Sequence, residues 1–520
     1  MNLVRATATI GSLTLLSRIA GFVRDVLQAT ILGAGMAADA FLIAQRLPNL
    51  FRALFAEGAF ASAFVPMFNR QVGAEGGRID GARRFAEDVL AVLLPVLLIF
   101  TVVMVAGAGP VVWALTGGFP DAGPGKYALT VDFTRLTFPY LALISLVSLL
   151  GGLLNSVGRF AVNAAAPILL NLVLIAGLLL SRGSADVEVG RVQALCVTLG
   201  GVAQLVWLMW SCSRAGISLK LRAPRLTLQV RQLMALIVPA ALGAGAVQVN
   251  LVISTALAAR FLGEGAVSWL YYADRLNQLP LGIIGIGVGT ALLPTMSRLI
   301  GADDAAGAVA QQNRAIELVL LLTLPAAAGL AILSAPIINL LFEHGQFTAA
   351  DTAATAAALS AFALGLPAYV LIKVLTPGFH ARGDTSTPVR VAVAAMLVNL
   401  VGNLVLIWPL GHVGIAVGTA IAAWANAAVL ALLLVRRGQF ALDARSRRTL
   451  PRFALATAAM LAVLLAVQSM LATPGEALLM RGLTLALLLG AGGLSYLAAA
   501  RALGLFTLKG LAAQLKRKHR

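Results

Sequence analysis

The sequence is short of charge, cysteine, histidine and aromatic residues. Only 12% of its 520 residues are Asp, Glu, Lys or Arg, about half the share of an ordinary soluble domain. That excludes a cytosolic globular enzyme, and it excludes a disordered chain, which would be polar and charge-rich. There are two cysteines, Cys196 and Cys212, 16 positions apart. On one helix they would lie roughly 24 Å from each other, beyond disulfide reach. The four histidines, His344, His380, His412 and His519, form no His-x-x-x-His pair and no cluster with acids. No metal site, catalytic triad, activated nucleophile or cofactor is therefore expected. Asp303-Asp304 has no further acids at ligand spacing and reads as a solvated loop. A cleavable signal is not expected, because Arg18 and Arg24 interrupt the first apolar run.

What fills the chain is apolar: 60% of it is hydrophobic. The runs do not alternate, as barrel strands would. They predict an all-α integral membrane protein of fourteen spans: 9–33, 37–68, 89–117, 129–157, 160–181, 191–213, 230–261, 266–297, 315–342, 352–381, 386–410, 412–435, 450–472 and 478–503. The basic residues test that count. Lys plus Arg total 39 against 21 Asp plus Glu. With fourteen spans, 27 of the 39 fall on the side that holds both termini, five on the other (Lys126, Arg182, Arg191, Arg260 and Arg481), and seven inside spans. Such an excess marks the first side as cytoplasmic. The tail Lys516-Arg517-Lys518-His519-Arg520 is expected to rest on anionic headgroups.

An internal repeat runs at an offset of 228 or 229. Ala44-Gln45-Arg46-Leu47 parallels Ala273-Asp274-Arg275-Leu276; Pro66 and Arg70 parallel Pro294 and Arg298; Pro139 parallels Pro367; Asn171-Leu172-Val173 parallels Asn399-Leu400-Val401. The unit holds six spans, an even number, so both copies insert the same way. This predicts a parallel pseudo-two-fold pair of six-helix lobes with substrate near their interface. The expected division is an N-lobe at 1–215, a cytoplasmic linker at 216–229, a C-lobe at 230–440, and two final helices with a basic tail at 441–520.

The first two spans carry Arg18, Arg24, Asp25, Asp39, Arg46, Arg52 and Glu57. A charge at the bilayer centre costs about 2.5–3.5 kcal/mol even on a mild insertion scale, so these residues should face protein or a water-filled cavity. Ser17 and Arg24 are seven apart, as are Arg18 and Asp25, which puts each pair near one helix face. Gln45, Asn49 and Arg52 share another face, and Arg275 lies beside Asp274 and three residues before Gln278. Arginine's planar fork suits phosphate oxygens, so a cationic cavity for an anionic, phosphate-bearing substrate is expected. The alternative is that each Arg pairs with a nearby acid and only staples helices. The run Gly282 to Gly289 superficially resembles a dinucleotide loop, but no strand precedes it and helix packing explains it. Asn399 and Asn403, four apart, could bind a cation or bond across helices.

Several blocks resemble the MurJ (MviN) family of lipid II flippases: Asp39-Ala-Phe-Leu-Ile-Ala, Pro48-Asn49-Leu50-Phe51-Arg52, Phe55-Ala56-Glu57-Gly58-Ala59-Phe60, Ser17-Arg18-Ile-Ala-Gly21-Phe-Val-Arg24-Asp25, Tyr271-Tyr272-Ala273-Asp274-Arg275-Leu276, and Lys373 to Pro377 with Ala381-Arg382-Gly383-Asp384-Thr385. The resemblance implies the multidrug/oligosaccharidyl-lipid/polysaccharide exporter fold and a groove for a lipid tail beside the last two helices. It implies substrate binding by Arg18, Arg24, Arg52 and Arg275. Asp39, Glu57 and Asp274 match other important positions of the family, and supporting cavity or gating roles are expected at these three and at Ser17, Asp25, Asn49, Ser268 and Gln278. Some relatives carry an acid where this chain has Gln278, and an acidic sodium ligand where it has Asn403, so no sodium is expected here.

The expected function is flipping of lipid II, the undecaprenyl-pyrophosphate-linked peptidoglycan precursor, from the inner to the outer leaflet by alternating access. An anion leaving a negative-inside cell gains about 2.3 kcal/mol per charge per 100 mV, and no Walker motif is present. The alternatives are a same-fold exporter of another lipid-linked oligosaccharide or of drugs, and a scaffold for wall-synthesis enzymes. Expected partners are lipid II, membrane lipids and the peptidoglycan synthesis machinery; no nucleic acid is expected, and the chain reads as a monomer.

Overall fold

A computed structural model of the chain describes residues 3–55, 59–74, 80–119, 123–471 and 477–505. Among the described residues there are eighteen helices and no strand. Chain order runs α1 (Leu3–Leu32), α2 (Met36–Phe55), α3 (Ala59–Ala74), α4 (Asp80–Ala106), α5 (Ala108–Thr116), α6 (Gly123–Thr137), α7 (Tyr140–Ser156), α8 (Phe160–Leu180) and α9 (Asp186–Arg214). It continues with α10 (Leu228–Phe261), α11 (Ala266–Gly301), α12 (Ala305–Ile332), α13 (Ser334–Phe342), α14 (Ala349–His380), α15 (Ser386–Leu410), α16 (His412–Arg436), α17 (Ala444–Met470) and α18 (Leu478–Ala502).

Four expected spans are each two helices in succession. α4 and α5 part at Gly107, α12 and α13 at Leu333, and α6 and α7 before Tyr140, where Pro139 has no N–H to continue the ladder. The single run expected at 37–68 is α2 and α3. Counting each of these pairs once turns eighteen helices into fourteen segments, consistent with the fourteen expected spans. Ten described helical stretches are long and apolar enough to cross a membrane.

The burial pattern is that of a protein in lipid. Large apolar side chains point outward along the spans, including Ile99, Val102, Leu180, Ile283, Trp408 and Leu494. Polar side chains lie inside and bond across helices to backbone carbonyls. Gln193 and Gln204 of α9 donate to the carbonyls of Leu174 and Ala166 on α8, at 3.1 and 3.0 Å. Glycines allow the close approach. A Cβ on Gly200 of α9 would clash with the Leu170 side chain of α8, and one on Gly177 would come within 2.5 Å of the Cys196 sulfur. Both cysteines are buried free thiols.

The chain divides into two compact units, residues 1–268 with 344–347, and 269–343 with 348–520. α10 belongs to the first, where it packs against α2, α3 and α5. In the second, α12, α14 and α16 share a core built on Val319, Val374, Phe379, Leu430 and Leu434. α17 and α18 pack together there through Ala456, Met460, Leu464, Leu488 and Tyr496.

Candidate functional site

α1 is a proline-free helix with a cation buried in its described part. Arg24 is 7% exposed and Asp25 fully buried. A charge in such a place persists only if it is paired and hydrogen-bonded. Arg24 meets both conditions. Its Nη2 and Nε donate to Asp25 Oδ1 at 2.6 and 3.1 Å, and its Nη1 donates to Asn171 Oδ1 of α8 at 3.1 Å. Asn171 Nδ2 donates to the Ser17 carbonyl at 3.1 Å, closing the set back onto α1. Ser17 is half-buried and Arg18 exposed. The seven-residue spacing of Arg18 and Asp25 therefore does not join them. Helix phase aligns the two, but about 10 Å of axial rise separates them, and Asp25 spends its charge on Arg24.

On α2, Arg52 Nε donates to Asn49 Oδ1 at 3.1 Å, three residues away on one face. At the other end of α2, Asp39 is fully buried. Its Oδ2 pairs with Lys126 Nζ of α6 at 2.8 Å and accepts from the Gly265 N–H at 2.9 Å. Its Oδ1 accepts from the Ser268 N–H at 2.9 Å and from the Ser268 hydroxyl at 2.7 Å. Every oxygen is satisfied, and Asp39 lies in the first turn of α2, where the helix dipole favours an anion. The first unit thus brings together Asp39 and Ser268, and separately Arg24 with Asp25, and Asn49 with Arg52.

In the second unit, Gln278 Nε2 donates to Asp274 Oδ2 at 2.5 Å, one helical turn along α11. The Arg275 guanidinium lies 5.8 Å from the centroid of the Tyr271 ring. The glycine run at 282–289 is inside α11, and Gly285 takes the aliphatic stem of Lys373, so it is a packing feature. Asn403 Nδ2 donates to Asn399 Oδ1 at 3.0 Å, and Asn399 Nδ2 donates to Thr419 Oγ1 of α16 at 3.0 Å, which is bonding across helices. Among the described residues no group of three His, Cys, Asp or Glu could hold a metal. Glu57 and the tail 516–520 lie outside the described residues.

Sequence reasoning missed two members. Lys126 reads as a loop cation, yet it is 1% exposed and supplies the charge for Asp39. A signal existed: Asp39 has Gly35, Met36, Leu42 and Ile43 at its helical neighbour positions, so its cation had to come from elsewhere in the chain. Asn171 was visible as a repeat position, but nothing local marks it as the partner of Arg24.

The helical fold is shared with solved membrane transporters. An inward-facing multidrug-resistance MATE transporter of the MOP superfamily superposes with a TM-score of 0.64 at 16% identity, covering 83% of this chain and 97% of the other. The chain belongs to the lipid II flippase MurJ family, whose model matches residues 28–483. A probable lipid II flippase MurJ of Rhizobium meliloti (strain 1021) is 44% identical over 99% of this chain and 97% of its own length. The lipid II flippase MurJ of Burkholderia cenocepacia is 37% identical over 84% and 85%. A lipid II flippase MurJ solved in an inward closed conformation superposes with a TM-score of 0.78 at 25% identity, covering 94% of this chain and 97% of the other. The chain is accordingly a multi-pass inner-membrane transporter and not an enzyme.

Proposed function

We propose that this chain moves lipid II from the inner to the outer leaflet by alternating access of the lobes at 1–215 and 230–440. The linker 216–229 joins them, and the helices within 441–520 lie beside the polyprenyl tail. Arg24, Arg52 and Arg275 take the pyrophosphate and nearby anionic groups, with Arg18 and Asp25 positioning them. Both termini face the cytoplasm, as the distribution of basic residues favours. The transporter works as a monomer beside the peptidoglycan synthesis machinery and uses no cofactor.

The observation that carries this reading is the way Arg24 is shared. One side of its fork is tied to a carboxylate and the other to a neutral amide, Asn171. A hydrogen bond from a cation to a neutral acceptor is weaker than one to an anion. A phosphate oxygen therefore displaces Asn171 while Asp25 stays in place. Asn171 then competes for the same Nη1 when the substrate leaves, which keeps the site from holding its cargo too tightly.

The test is lipid II exposed on the outer leaflet of cells depleted of their own flippase. Rescue by this chain and not by Arg24→Ala at equal membrane abundance is the expected result. Equal rescue by both sinks the binding assignment, and no rescue by a well-inserted parent chain points to another lipid-linked glycan.

A further inference from the structure

α4 and α12 each bury one glutamate near the end that carries basic loops. Glu87 is 1% exposed and Glu317 is 7% exposed. They are 230 positions apart (317 less 87), next to the repeat offset of 228 or 229. Each sits on the helix that begins the third span of its half. Neither has a part in binding the substrate as proposed above.

Both do the same thing. Glu87 Oε1 accepts from the Lys220 backbone N–H at 3.1 Å, Oε2 pairs with Arg222 Nε at 2.7 Å, and Arg83, one turn earlier, lies 3.8 Å away. Lys220 and Arg222 belong to the connector that leaves α9 for α10. Glu317 Oε1 accepts from Ser446 Oγ at 2.7 Å and from Arg314 Nη1, one turn earlier, at 2.8 Å, while Oε2 faces Arg445 Nε at 3.4 Å. Ser446 and Arg445 open α17, the helix reached from α16. Asn313 extends this second clasp, donating to the Ala441 carbonyl at 2.8 Å and accepting from the Asp443 N–H at 3.4 Å.

In each half, then, the third span grips the segment by which the chain leaves that half. The first connector has no helix from 217 to 227. It has no backbone ladder of its own, so side-chain bonds must fix its place. A buried carboxylate, in turn, is held in place by donors that converge on it. Each glutamate and its connector therefore fix one another.

We propose that Glu87 and Glu317 are an analogous pair of positioning residues, one in each half, though not at the same repeat position. Each pins the outgoing connector to its own half, so that the motion of that half is passed on to the helix that follows, α10 or α17, during flipping instead of being lost as slack in the connector. α10 is the first helix after the first copy of the repeat and α17 the first after the second, which is where slack would uncouple motion from transport.

The test uses the full chain in lipid nanodiscs, with Cys196→Ser and Cys212→Ser as background. Spin labels go on Arg84→Cys with Leu226→Cys for the first clasp, and on Gln311→Cys with Arg448→Cys for the second. The expected parent result is one narrow distance population for each pair. Glu87→Gln should broaden the first pair only and Glu317→Gln the second only. Each should lower lipid II export at least fivefold at unchanged membrane abundance and unfolding midpoint, with Glu87→Asp recovering part of the loss. Arg222→Gln, which removes the partner instead, should reproduce Glu87→Gln and decides the matter if that variant fails to accumulate. Distances that stay narrow, or that broaden while export is unchanged, overturn the proposal. The distances are read without substrate, so they stand apart from the identity of the cargo.

Discussion

Asn171 and Asn399 occupy matching positions in the two copies of the repeat, 228 residues apart, and their surroundings differ in one respect. Asn171 joins a charged set: it accepts from Arg24, which is paired with Asp25, and donates to a backbone carbonyl. Asn399 joins a neutral one, accepting from Asn403 and donating to Thr419. The amide is common to both copies; the described bonds give Asn171 a charged partner and Asn399 amide and hydroxyl partners. A buried ion pair is rarely more stabilising than a neutral set of the same volume, because desolvation offsets most of the attraction. Stability alone therefore gives no reason to keep Arg24 and Asp25 where Asn403 and Thr419 would serve. A polyanionic cargo does. Under the function proposed above, the anion chemistry of this region would belong to the first copy and plain helix stapling to the second.

The sharpest way to break that contrast is to remove one member from each side. Asp25→Ala takes the carboxylate from a buried guanidinium and should lower stability by about 3–5 kcal/mol, the usual result of splitting a buried pair. Asn403→Ala removes a neutral amide bond and should cost about 1–2 kcal/mol. Chemical unfolding in micelles reads both. If the two variants unfold together, the first copy's charges are not held as described.

A smaller difference separates the matching amides themselves. Asn171→Leu removes an acceptor from a cation and a donor from the Ser17 carbonyl, and should cost about 1.5–3 kcal/mol, against about 1 kcal/mol for Asn399→Leu. Transport sharpens the point. Asn171→Leu deprives Arg24 Nη1 of its competitor, so lipid II should be held longer and export slowed beyond what stability explains. Asn399→Leu should export in proportion to its abundance. Lipid II retention on purified protein, measured for both, checks this.

The spans were legible because lipid demands long apolar runs, and the loops because basic residues stay on one side. The charged members were legible by elimination: Arg24, Asp25, Asp39 and Arg52 stand in apolar helices, where charge needs a reason. What the sequence hides is pairing across helices. Helix phase alone favours Arg18 with Asp25; the axial rise between them and the packing of Arg24 against Asn171 of α8 give Asp25 to Arg24 instead. Lys126 and Asp39 lie 87 positions apart, and Glu317 and Ser446 129. No periodicity reaches that far. Glu87 and Glu317 lie near the ends of their spans, where an acid is unremarkable until the connector folded over it is seen.

The smallest expected effect comes from a half-buried carboxylate in a loop. Asp384 lies in the loop between α14 and α15 and accepts from the Thr387 hydroxyl at 2.6 Å, from Arg437 Nη1 at 2.7 Å, from the Thr387 N–H at 2.9 Å and from Ser386 at 3.1 Å. The Thr387 hydroxyl first, then Arg437 and the Thr387 backbone, hold its carboxyl well below the usual carboxylate range. Because the folded value is depressed, its contribution is present above the unfolded value, about 3.9, and is lost as the pH falls from there toward the folded value. The gap in stability between the parent chain and Asp384→Asn should therefore be the same at pH 7 and pH 5 and should narrow only below about pH 4. Parallel unfolding curves of the two chains at those pH values read it. A gap that closes between pH 7 and pH 5 would mean that Asp384 titrates like a buried acid, and the contrast between paired interior charges and clasped loop charges would lose its lower end.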